Sequence, residues 1–196
     1  MRVIVFGASG IIGSEVVKAF SGDYEVIPAH RNSKDYSVDI SDKESLKELF
    51  IKTGKVDGIV SAAGSARFAE INSLKDEDLE FSINNKLMGQ VNIIREGMKN
   101  LNDEGFILVT TGVLARNPIE GSAAISMVNS GLEGFARAAA NEAKENKRVN
   151  VISPPWIYET LEKMGKDPAG GVKSAIVAKT YLEVAKSDKN GEIIEI

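Results

Sequence analysis

Short apolar runs alternate with longer stretches of helical period along this chain. The runs are RVIVF from Arg2, YEVIPA from Tyr24, VDGIV from Val56, FILVTT from Phe106, VNVIS from Val149 and EIIEI from Glu192. They are close to continuous Val, Ile, Leu and Phe, which suits strands covered on both faces rather than strands with one wet face. Between them, residues 11–20, 43–52, 79–99, 122–143 and 171–185 repeat their apolar positions at helical spacing. A short run at residues 36–38 reads as one further strand. This order predicts an α/β protein, a doubly wound Rossmann fold whose parallel sheet of about seven strands is flanked by helices on both faces. No Pro/Ser-rich linker, composition break or internal repeat interrupts the pattern, so residues 1–196 are expected to form a single domain.

Composition narrows the chemistry. With 196 residues and 43% hydrophobic content, one substantial core is expected, burying about 70% of the surface that the unfolded chain exposes. The absence of cysteine excludes disulfides, thiolate metal sites and a thiol nucleophile. No run approaches the roughly 18 to 20 apolar residues of a bilayer span, so the expected setting is the cytoplasm, with no membrane partner. The net charge of -4 gives no general attraction for nucleic acid. The basic cluster Lys144, Lys147, Arg148 is interrupted by Glu145 and reads as a solvated helix end. No metal-ligating cluster is evident, and a metal is not expected.

The most specific feature follows the first run. Gly7, Ala8, Ser9, Gly10, Ile11, Ile12 and Gly13 place three glycines at G-x-x-G-x-x-G spacing between a strand and a helix. Glycine permits the sharp turn and lets a pyrophosphate come close to the backbone. The free N–H groups and the positive end of the helix dipole then stabilise the anion. In that context the turn predicts dinucleotide binding. An NAD site usually carries an acidic residue at the end of the second strand, roughly 20 residues on, to bind the ribose 2′-hydroxyl. Here His30 and Arg31 stand at that point. A guanidinium suits a 2′-phosphate, so NADP(H) is expected to be preferred over NAD(H). His30, the one histidine, is expected to pack near the adenine and is given no acid or base role.

Together with this turn, VDIS from Val38, VDGIVSAAG from Val56 and the terminal GEIIEI resemble, in order and spacing, the short-chain dehydrogenase/reductase family. The resemblance runs the whole length of the chain. It implies that Asp39 bonds the adenine amino group with Ile40 beside the ring, and that Ser61, Ala62, Ala63 and Gly64 correspond to the family's Asn-Asn-Ala-Gly stretch along the cofactor. It also implies that Pro154, Pro155, Trp156, Ile157 and Thr160 lie near the nicotinamide, and Thr110 is expected among the cofactor-binding residues. The glycine turn follows a spacing variant found in divergent branches of the family rather than its commonest form. In the family the helix spanning residues 122–143 packs on its symmetry mate. Its Ala123, Ala124, Ala136, Ala138, Ala139 and Ala140 would allow such close approach, and a homodimer or homotetramer is expected.

The family's four catalytic residues, Asn, Ser, Tyr and Lys, do not carry over. Aligned without gaps, Ile125 stands at the Tyr position, Asn129 at the Lys position, Gly112 at the Ser position and Lys86 at the Asn position. An isoleucine donates no proton, and an asparagine supplies no cationic field to lower a phenol pKa. The remaining candidates are Tyr158, on the loop past Pro155, and Lys86 with Thr111 or Ser126, with Asn129 beside them. Tyr181 lacks a lysine at the family's spacing. Residues 160–171 leave only a stub where the family carries a substrate lid, which implies an open pocket. Two functions stay open: an NADP-dependent oxidoreductase acting on a small carbonyl or alcohol with non-standard groups, and a non-catalytic NADP(H)-binding redox sensor or partner-binding module.

Overall fold

A computed structural model describes residues 1–196. Six strands, β1 (Arg2–Phe6), β2 (Glu25–Ala29), β3 (Val56–Ser61), β4 (Leu101–Thr110), β5 (Arg148–Ser153) and β6 (Ile193–Glu195), form one parallel sheet in the order β2-β1-β3-β4-β5-β6. The helices are α1 (Ile11–Phe20), α2 (Lys43–Thr53), α3 (Asp76–Ser82), α4 (Met88–Asn100), α5 (Ala123–Glu142), α6 (Tyr158–Lys163) and α7 (Ser174–Ala185). None of them is long and apolar enough to cross a membrane.

Alternation along each strand divides the core in two. Ile4 and Phe6 of β1 point to a cluster of 22 buried residues that takes in Leu46, Leu49 and Phe50 of α2, Ile93 and Ile94 of α4, and Leu132 and Ala136 of α5. Val3 and Val5 point the other way, to 15 buried residues that include Val16 and Phe20 of α1 and Val177, Tyr181 and Val184 of α7. Both faces of every inner strand are thus covered, and this explains their unbroken apolar runs.

The expected seventh strand does not form. The chain at residues 36–38 folds back on the end of β2, where His30 N–H bonds Tyr36 O at 3.3 Å and Val38 N–H bonds His30 O at 3.4 Å. Residues 30–42 are the whole connection between β2 and α2, too short for a further parallel strand and its crossover. Strand propensity at residues 36–38 therefore gives way to chain length, and β2 is the sheet edge. The stretch 79–99, expected as one helix, is α3 and α4 joined through a π-helical segment, Ile83–Leu87.

Chain order reverses at β1, which lies between β2 and β3. A crevice opens at such a point beyond the carboxyl ends of the strands, and the loops after β1, β2, β3, β4 and β5 all meet there.

Candidate active site

The turn after β1 is built for a ligand that touches backbone. Gly7 has φ 76°, and a Cβ there would lie 2.8 Å from Ala62 O. A Cβ on Gly13 would lie 2.0 Å from Gly7 O, so only glycine lets α1 start this close to the strand. Gly10 is the N-cap residue of α1, its N–H bonds Gly7 O at 2.9 Å, and no side chain caps the helix or places an acid in its first turn. The next N–H groups of α1 are left free for an anion.

Two cavities meet at Ala62, Ala63 and Gly64. The first, about 390 Å³, runs over the turn past Gly7, Ser9 and Gly10 to His30, Arg31, Val38 and Ile40. Its lining holds no carboxylate; the charged side chain there is Arg31. Arg31 pairs with Asp39 (3.2 Å from Nε, 3.4 Å from Nη2). Asp39 also accepts from the backbone N–H and hydroxyl of Ser41, and these bonds, ahead of the guanidinium, hold its carboxyl below the usual range. Asp39 is thus turned to Arg31 and Ser41, while its neighbours Val38 and Ile40 line the cavity.

The second cavity, about 320 Å³, is largely apolar. Ile12, Val113, Leu114, Ile125 and Ile157 form walls, and Phe68, Trp156 and Met164 form a rim in which the two rings stand 6.4 Å apart. Gly112, Pro154, Pro155 and Thr160 complete it, the last carried on α6, so the stub after β5 does reach the pocket. Lys86, from the π-helical segment, is its one titratable lining residue. It is 8% exposed, and its ammonium has no hydrogen-bond or ion-pair partner. Burial alone pushes its pKa down from the ordinary lysine range to about 8. Asn129 lines the same cavity, and its Oδ1 is buried without a partner.

The threonines at the end of β4 are engaged. Thr110 Oγ1 is shared between Ser61 O and the Tyr181 hydroxyl. Tyr181 is fully buried, and burial raises its phenol beyond the usual range, so it belongs to the core. The Gln90 amide donates to Thr110 O at 2.8 Å and accepts from Thr110 N–H at 2.9 Å, replacing the strand partner that β3 no longer provides past Ser61. Thr111 Oγ1 donates to Glu133 Oε1 at 3.0 Å, and Glu133 is held by Arg116 at 2.7 Å. Arg116 in turn reaches Ser153 and Glu195.

The structure therefore gathers Lys86, Thr111 and Asn129 around one cavity and leaves two other candidates outside its lining. Ser126 faces Ser122 at 3.1 Å at the start of α5. Tyr158 opens α6 with its N–H bonded to Val172 O. Of the alanines on α5, Ala124, Ala136 and Ala140 pack on the chain's own core, and Ala123 and Ala138 are exposed. Arg148 bonds carbonyls at the end of α7, including Ala185 O at 2.9 Å, and Lys147 pairs with Glu145.

Residues 14–189 match the family profile described as Enoyl-(Acyl carrier protein) reductase. A 3-oxoacyl-[acyl-carrier-protein] reductase of Rattus norvegicus is 30% identical over 63% of this chain, a match that spans only 53% of the rat protein. Carbonyl reductase family member 4 of Xenopus tropicalis is 27% identical over 80% of this chain and 75% of its own length. Among solved structures, the protein lin1944 from Listeria innocua superimposes with TM-score 0.95 at 36% identity, covering 100% of this chain and 99% of that one.

Proposed function

The chain belongs to the short-chain dehydrogenase/reductase family of oxidoreductases, and from that membership we propose that it uses NADP(H) in preference to NAD(H) to interconvert a small carbonyl compound and its alcohol. The observation that carries this reading is the pair of adjoining cavities: one glycine-floored and free of carboxylates, the other apolar with a single cation, meeting at Ala62–Gly64. The glycine turn, which a single added Cβ would fill, fits a pyrophosphate. Arg31 would meet the 2′-phosphate, and no acid lines this cavity to favour a 2′-hydroxyl. When bound, the cofactor supplies hydride chemistry. The apolar walls and aromatic rim of the second cavity would exclude water from a small uncharged substrate.

A second reading rests on Ile125 and Gly112. Both line the second cavity, and their match to the family's Tyr and Ser in the sequence favours a non-catalytic NADP(H)-binding sensor or partner-binding module. Exposed Ala123, Gly131, Gly134 and Ala138, with the apolar Met127 among them, give α5 an outer face suited to a homodimer or homotetramer. Sedimentation velocity would show a monomer if that part is wrong.

Fluorescence titration with NADPH and NADH, followed by NADPH oxidation against a panel of aldehydes, ketones and quinones, tests the main reading. Micromolar NADPH binding with turnover of any panel member supports it. Binding with no turnover transfers the case to the sensor, and no binding of either nucleotide overturns both.

A further inference from the structure

A buried ammonium without a partner is costly, and proteins ordinarily avoid it unless the group meets a ligand. Lys86 is a buried residue whose ammonium has no protein partner and opens on the cavity it lines. It sits in a π-helical segment, a rare local widening of the helix that often marks a functional position. Its stem packs against Gly64, where an added Cβ would lie 3.1 Å from Lys86 Cα and 3.2 Å from Cγ. Gly64 lines both cavities, and the lysine lines only the second. The lysine stem thus starts beside the junction of the two cavities, and the side chain lines the apolar one.

The hydroxyls at the end of β4 are committed. Thr110 shares its hydroxyl with Ser61 and Tyr181, and Thr111 donates to Glu133. Thr160 and Trp156 can donate hydrogen bonds, but neither is an acid near neutral pH. Charged groups on the surrounding elements are occupied or turned outward, and Lys166, itself exposed, stands over the Trp156 ring at the cavity rim, 5.8 Å from its centroid. On α5, Glu133 is held by Arg116, and Arg137 is exposed. On α3, Asp78 faces Arg67, and Asp76, Glu77 and Glu80 are exposed. On α4, Arg95 faces Asn92, and Glu96 pairs with Lys99.

Resting on the oxidoreductase reading, we propose that Lys86 is the proton donor for carbonyl reduction in the second cavity. A reduced nicotinamide, when bound, would supply the hydride to the carbonyl carbon, and the π electron pair would move to oxygen. The oxygen takes a proton from Lys86 Nζ, leaving a neutral amine and a hydroxyl group; water then returns a proton to the amine. In the reverse direction the neutral amine accepts the hydroxyl proton. An acid that titrates near 8 suits this work, since it is protonated at neutral pH yet releases its proton readily.

The first test needs no turnover. NMR titration of isotopically labelled lysines in nucleotide-free protein, with the Lys86 signal identified by its loss in Lys86→Met, should give a midpoint near 8. A midpoint in the ordinary lysine range overturns the proposal and leaves the oxidoreductase reading standing. In turnover, kcat should be flat below about pH 8 and fall about tenfold per unit above it. Lys86→Met and Lys86→Gln should each lose on the order of 100-fold in kcat, lose that pH limb, and keep NADPH affinity within about threefold. Two variants of different polarity guard against loss through misfolding, which circular dichroism would reveal. A change in kcat under about threefold in either folded variant sinks the role of Lys86 alone. Wild-type protein that binds NADPH but turns over no panel member sinks this role and the oxidoreductase reading together.

Discussion

Replacing Lys86 by methionine keeps a long unbranched side chain and removes the ammonium, and the consequence for stability can be worked out from its surroundings. Burial pushes the folded-state pKa from 10.5 to about 8. At about 1.4 kcal/mol per unit, the protonated form costs the fold about 3 kcal/mol. Because the folded-state value lies below the unfolded one, that cost is fully present below pH 8. It fades as pH rises toward 10.5, where the unfolded chain also gives up its proton. The variant should therefore be more stable than the parent by about 3 kcal/mol at pH 6.5, and the gap should close between pH 8 and 10.5. With an m-value of about 2 kcal/mol/M, the urea midpoint would differ by about 1.5 M at the lower pH. Urea unfolding of both proteins at intervals from pH 6.5 to 10.5 reads this directly. All other titrating groups are shared, so the difference between the two curves isolates Lys86. A gap that stays constant with pH, or a variant less stable than the parent at pH 6.5, would refute the claim that an unpaired ammonium is buried there.

Three further outcomes test the nucleotide end of the cleft. Arg31→Ala should weaken NADPH binding by about 10- to 100-fold, the worth of a charge-assisted contact to phosphate, and leave NADH binding little changed in parallel fluorescence titrations. Gly13→Ala sets a Cβ 2.0 Å from Gly7 O, whereas Gly10→Ala meets the same oxygen at 3.2 Å; the first should lower stability by about 1 to 3 kcal/mol and abolish NADPH binding, with the second clearly milder by thermal unfolding. Gln90→Leu leaves the buried N–H and C=O of Thr110 without partners and should cost about 2 to 5 kcal/mol in urea unfolding, together with weaker nucleotide binding as the end of β4 loosens.

The strands and the glycine turn were legible because their causes are local. Two-sided burial writes itself as unbroken Val and Ile in β1 and β5, and the turn needs glycine at Gly7 and Gly13 for contacts only a few residues away. The strand expected at residues 36–38 failed because propensity says nothing about whether the connection has room for a crossover. Ser126 and Tyr158 were harder to place. Each neighbours true lining residues in sequence, but lining is decided by helix phase and by where a short loop turns. For α5 the phase was readable: Ile125, Asn129 and Glu133 recur at four-residue spacing, and all three face inward, whereas Ser126 is a step around the helix. The same stripe, read one turn further, would have found Glu133, whose bonds to Thr111 and Arg116 were missed. Gln90 carried no such signal, since a buried amide that completes a strand end has no periodicity of its own.

On the gap-free match to the family pattern, Asn would stand where Lys86 is and Lys where Asn129 is, an exchange between two side chains that line one cavity. The exchange conserves the number of cations in that space, one, and moves its source from α5 to the π-helical segment. Two lysines would have repelled each other in an apolar pocket, and two asparagines would have left no charge to stabilise a developing oxyanion. The exchange also explains how the site can lose its phenol. A tyrosine needs a nearby cation to bring its proton within reach of neutral pH, but an ammonium in a cavity that Ile125, Leu114 and Val113 also line is brought there by burial alone. Ile125 in place of a tyrosine thus helps to create the apolar surroundings that make Lys86 an acid, and the two departures from the family pattern form one arrangement.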